Sequence, residues 1–210
     1  MSDLPYLLLM IAVPAIGAAV VAGLPKGRDE LARQITLALS LVVLLLAVLA
    51  AFAFDAGGER FQLTTSFEWI PDFGVSFALG VDGIALVLLL LIGVLMPIVV
   101  AASWKDTAAG IGDRLGDVAT DKRSMKAYFA WLLLLEAMMV GVFAATDVFL
   151  FYVFFEAMLV PMYFIIGSFG GPRRQYAAVK FFLYSLVGGL IMLAAVIGLY
   201  VVSSSEPSSV

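Results

Sequence analysis

Six runs of about twenty apolar residues dominate this chain, and each is long enough to cross the hydrocarbon core of a bilayer. In that core every backbone polar group must be bonded within the protein, which a helix achieves within each run. They fall at roughly Leu4–Gly23, Leu31–Phe54, Gly83–Ser103, Tyr128–Ala145, Asp147–Phe169 and Gln175–Val202. The expected fold is an all-α membrane protein of six transmembrane helices. The first run is not a secretory signal, because Asp3 precedes it and Lys26 and Arg28 follow it, the reverse of a signal's charge order. It is read as a retained span.

The basic residues set a direction. Lys26, Arg28 and Arg33 flank the first link; Lys105, Arg114, Lys122, Arg123 and Lys126 lie in the third; Arg173 and Arg174 lie in the fifth, with Lys180 near the same end of the sixth span. Only Arg60 falls on the other side, so eleven of the twelve Lys and Arg residues share one side. The positive-inside rule then places both termini outside. The chain divides into 1–54 (two spans), 55–82 (outer loop), 83–103 (third span), 104–127 (inner loop), 128–202 (spans four to six) and 203–210 (polar tail).

In the outer loop, "FQLTT" and "VSFAL" alternate apolar and polar residues around the turn-forming "PDFG", which predicts a small β-hairpin on the outer face. Asp82 and Asp147 each precede an apolar run and are expected to cap helix N-termini. In the inner loop, Ile111, Leu115 and Val118 are spaced for a short surface helix. The short "ATD" link makes spans four and five antiparallel neighbours. Small residues in "PAIGAA" and "SLVGGL" suit close helix contact, and Met138, Met139, Met158 and Met162 suit core filling.

With no cysteine and no histidine, the chain has no thiolates for iron–sulfur clusters, no imidazole for haem and no usual zinc set. No glycine-rich phosphate loop is present. No cofactor is expected in this chain, and any electron transfer coupled to it runs elsewhere.

Two acidic residues lie well inside spans: Glu136, ten residues before Thr146, and Glu156, ten after it. At 1.5 Å rise per residue both stand about 15 Å from the outer face, close to the midplane. A charged carboxylate there costs about 2.5–3.5 kcal/mol on insertion scales. Low dielectric favours the neutral acid and a nearby cation the carboxylate, and a group balanced between the two can load and release a proton. The plainer reading is a pair of neutral acids hydrogen-bonding across helices. Pro161 weighs toward the relay for Glu156, since it frees the Ala157 carbonyl beside that acid. Lys180 enters the sixth span from the inner side, at a depth about 10 Å from that of Glu156. It either joins a water-mediated relay or snorkels to the interface.

Over most of Trp69 to Ala195, outside the inner loop, the sequence resembles the antiporter-like chain M family of bacterial respiratory complex I, the proton-pumping NADH:quinone oxidoreductase. "WIPDFGVSFALGVDGIALVLLLLIGVLMPIVVAAS", "LLLLEAMMVGVFAATDVFLFYVFFEAMLVPMYFIIG" and "AAVKFFLYSLVGGLIMLAA" carry the likeness, and "FYVFFEAMLVPMYF" is its most specific part. The resemblance implies a fifth-helix proton-relay glutamate at Glu156, a fourth-helix glutamate at Glu136 and a lysine opening the sixth helix at Lys180. It implies a bacterial inner-membrane, multi-pass chain with its N-terminus outside, and other membrane-arm subunits of complex I as partners, with neither nucleic acid nor a soluble small molecule bound. The chain is then a non-redox part of the enzyme without catalysis of its own. The family's chains carry further spans, including broken helices whose lysines pair with the fifth-helix acid, so this chain reads as a truncated or divided subunit. A multisubunit cation/proton antiporter and a purely structural scaffold are the competing readings.

Overall fold

The computed structural model describes residues 5–25, 27–71, 75–106 and 125–205. In chain order the elements are α1 (Tyr6–Gly23), α2 (Asp29–Ala53), β1 (Gln62–Ile70), β2 (Val75–Val81), α3 (Gly83–Asp106), α4 (Met125–Ala144), α5 (Val148–Phe169) and α6 (Arg174–Ser205). All six helices are long and apolar enough to cross a membrane. The surface helix expected at Ile111–Val118 and positions 72–74 of the hairpin turn lie outside the described residues. Helix α6 continues through Ser205, three residues past the expected limit at Val202.

Helix α4 is the hub. It packs against α1, α2, α3 and α5, while α6 lies chiefly on α5. The core gathers Leu7 and Met10 of α1, Val43 of α2, Leu89 and Val100 of α3, and Phe129, Leu133 and Val140 of α4. Met138 and Met139 pack against it from the side. Glycines set the closest approaches. Gly17 of α1 receives Leu39 of α2 and Leu133 of α4, Gly93 of α3 lies against Leu44 and Ala47 of α2, and Gly141 of α4 receives the Phe154 ring of α5.

The two strands form the expected antiparallel hairpin, with Phe67 opposite Phe77 and Thr65 opposite Leu79. A register irregularity between Gln62 and Thr65 holds Leu63 in the left-handed region, φ 54°. That conformation is costly for a branched side chain. The bulge turns Leu63 onto the helices, where it packs against both apolar clusters.

Both expected caps are present. Asp82 Oδ1 accepts from Ala85 N at 2.7 Å. Asp147 Oδ1 accepts from Phe149 N and Leu150 N at 2.8 and 3.0 Å. Asp147 also does something beyond capping: its Oδ2 accepts from Ser76 N of β2 at 3.3 Å. Together with Thr146 N donating to Ala78 O at 3.0 Å and the Leu79–Ala145 bridge, this stitches the α4–α5 turn to the hairpin.

At the opposite, basic end, Lys126 Nζ donates to Ala22 O and Leu24 O at 3.2 and 2.6 Å, satisfying carbonyls at the C-terminus of α1. Arg33 pairs with Glu30 at 3.2 Å and lies over the Trp104 ring, 6.0 Å from its centre.

Candidate functional site

Glu136 is wholly buried, at 0% exposure, and neither carboxyl oxygen has a hydrogen-bond partner. Its neighbours along α4 are the core residues Leu133, Ala137 and Val140. The direction of the side chain follows from its helix. Leu133 meets Gly17 of α1, and Tyr128 hydrogen-bonds Ser103 of α3 at 3.1 Å. At 3.6 residues per turn Glu136 points between those two directions, toward α2. An unpartnered buried polar atom of this kind costs on the order of 1–3 kcal/mol.

Glu156 stands in the other seam, between α5 and α6. It is partly buried, with Oε1 fully enclosed and unpartnered. Its carboxyl lies against Gly189 of α6, where a Cβ would overlap it. The glycine of "SLVGGL" thus accommodates the acid as well as the helix packing. Toward the basic end the aromatic rings close the seams. Trp131 stacks on Phe164 at 4.5 Å, Tyr128 meets Phe169 at 5.0 Å, and Tyr163 meets Phe182 at 5.5 Å. Pro161 is buried within α5, which continues through it as a helix.

The two acids therefore occupy separate seams and face away from each other across the α4–α5 pair. No hydrogen bond joins them, since both Glu136 oxygens are unpartnered. Lys180 is not brought to either. It is exposed on α6, with its ammonium 5.9 Å from the centres of both the Tyr176 and the Tyr184 rings. Nine residues separate it from Gly189, half a rotation of the helix, so it projects away from the Glu156 seam. Among the described residues no cluster of three or more Asp, Glu, His or Cys side chains could hold a metal.

Sequence reasoning missed two features here. Gly189 as the partner surface of Glu156 was visible only as a small-residue pair. The buried Thr36 and Ser40 of α2, both at 0% exposure, carried the weak signal of lone hydroxyls on one helix face.

Residues 145–207 match the family described as NADH:quinone oxidoreductase/Mrp antiporter, TM. The match takes in α5 and α6. It holds Glu156, Lys180 and Gly189, whereas Glu136 lies before it. Over 99% of its length the chain is 44% identical to NADH-quinone oxidoreductase subunit M of Mycobacterium tuberculosis, and it spans 40% of that relative's length. The chain of respiratory complex I from Thermus thermophilus superposes on 95% of it with a TM-score of 0.72 and 28% identity, over 37% of the Thermus chain. The Mrp complex of Dietzia superposes on 90% of it with a TM-score of 0.67 and 26% identity, over 19% of the Dietzia chain. Six apolar helices and a match to a transmembrane family model make this a multi-pass membrane protein.

Proposed function

We propose that this chain serves a proton-translocating membrane-arm subunit of an NADH:quinone oxidoreductase, coupling quinone reduction elsewhere in the complex to proton movement through buried glutamates. The observation that carries this reading is the partly buried Glu156 carboxyl, one oxygen of which is enclosed without a partner midway along an apolar helix pair, fitted against a glycine. Such a group is retained at a cost to stability, which is the mark of intramembrane acids that carry protons.

On this reading Glu156 is the central relay acid and Glu136 a second one. Lys180, on the far face of α6, exchanges protons with groups supplied by whatever covers that face. The partners are other membrane-arm subunits and the lipid bilayer. The chain lies in a bacterial inner membrane with its N-terminus outside, carries no redox cofactor and performs no catalysis alone.

The test is Glu156→Gln in the assembled complex, which keeps the shape and removes the ionisable proton. Proton pumping by inverted membrane vesicles is expected to be lost or strongly reduced. Unchanged pumping ends the assignment.

The likeness to an Mrp complex supports a second reading, a subunit of a multisubunit cation/proton antiporter. Copurification with NADH dehydrogenase activity favours the first, and copurification with sodium/proton exchange favours the second.

A further inference from the structure

Thr36, Ser40 and Glu136 are the buried polar side chains among the described residues, two on α2 and one on α4, which packs against it. On α2, Leu39 packs on Gly17 of α1, while Leu44 and Ala47 pack on Gly93 of α3. The buried stripe Ala32, Thr36, Ser40, Val43, Ala47 runs across the face between those directions, with Ser40 and Ala47 on its α3 side and Thr36 near its middle, where α2 also meets α4. Glu136 points back toward α2 from the other side. The depths agree as well. Leu39 and Leu133 both meet Gly17, and Ser40 and Glu136 stand eleven residues past Asp29 and Met125, the first residues of two helices that run the same way.

Arg33, Thr36 and Ser40 follow one another along α2 at helical spacing, from the basic end inward. Arg33 Nε, Thr36 Oγ1 and both oxygens of Glu136 are buried and unpartnered. Ser40 donates its hydroxyl proton to Leu37 O at 3.0 Å, which leaves its oxygen free to accept. Buried polar atoms grouped in this way are the usual hosts of internal water, each water making two to four hydrogen bonds.

We propose that a short file of internal water occupies the junction of α2, α3 and α4 from Arg33 to Glu136, held by Thr36 and Ser40, and gives the Glu136 carboxyl its own proton access from the basic end. A proton joins the first water, each water passes on its far proton, and the last O–H bond forms at an oxygen of the Glu136 carboxylate, which becomes the neutral acid. No other group changes. This access is separate from the α5–α6 seam of Glu156. Its meaning as a transport path rests on the proton-translocating reading, but the hydration itself does not.

The experiment uses the assembled complex in lipid. The exchange of the Glu136 carboxyl proton after transfer into D2O is followed by infrared spectroscopy, with the band assigned by its loss in Glu136→Gln. Thr36→Val keeps the side-chain shape and removes the hydroxyl, and exchange is expected to slow about tenfold or more, as the loss of a bridging hydrogen bond implies. Thr36→Ser, which keeps the hydroxyl, restores the parental rate. Ser40→Ala slows exchange in the same sense and serves as the second probe. Exchange at the parental rate in both Thr36→Val and Ser40→Ala overturns the proposal, as does equal slowing in Thr36→Ser. Failure of the Glu156→Gln pumping test would leave this readout untouched, so the two ideas fall separately.

Discussion

The Glu156 carboxyl occupies the space that a side chain at Gly189 would need. The acid and the glycine come from different helices, and the fit between them fixes how far the carboxyl can approach α6. Gly188, its neighbour in sequence, has open space where a Cβ would go.

Gly189→Ala is therefore expected to displace the carboxyl. Misplacing a reacting group by about 1 Å costs on the order of a hundredfold in rate, so vesicle acidification should fall by roughly one to two orders of magnitude. Gly188→Ala, which adds helix propensity at no steric cost, should leave it unchanged. Fluorescence quenching in inverted vesicles compares the two.

Gly141 and Phe154 make the same kind of contact between α4 and α5, here with an aromatic ring as the intruding group. Gly141→Ala should destabilise by about 1–3 kcal/mol through overpacking. Phe154→Leu in the same chain should return part of that loss. A double-mutant cycle on thermal denaturation of the solubilised complex measures the coupling.

Asp147 holds two amides of α5 and one of β2. Asp147→Ala should cost about 1–2 kcal/mol, and Asp147→Asn much less because its amide oxygen still caps. Hydrogen exchange at the Phe149, Leu150 and Ser76 amides, read together, separates loss of the cap from loss of the hairpin tie.

Glu136 contributes no hydrogen bond to any described residue. Glu136→Leu should leave the fold as stable as before or raise its stability by about 1–3 kcal/mol, because a buried polar group is removed and a similar volume retained. A clear loss of thermal stability would mean that the acid acts as helix-joining glue.

The spans, the hairpin and the two caps were legible in the sequence because their signals are local. An apolar run of fixed length, an alternation around a turn and an aspartate ahead of a helix each need no knowledge of neighbours. The distances of Glu136 and Glu156 along their helices from the α4–α5 turn were legible too, since helix rise converts residue counts into distance. Helix rotation was not. Helices α3, α4 and α5 are apolar on nearly every side, so no polar face tells which way a given residue points. That is why Glu136 facing α2, Glu156 facing Gly189 and Lys180 turned to the far side of α6 became clear only once the helices were packed together. The tie from Asp147 to Ser76 was hidden for a related reason, since it spans residues 71 positions apart.

The seam between the α4–α5 turn and the hairpin has a mechanical consequence. The β-bridge with its backbone hydrogen bond and the Asp147 side chain clamp that turn, and Glu156 hangs from it about 14 Å down α5. A pendulum held at its pivot can swing but cannot slide. Any travel of the Glu156 carboxyl must then be sideways, in the plane of the membrane, with its depth kept constant by the pivot above it.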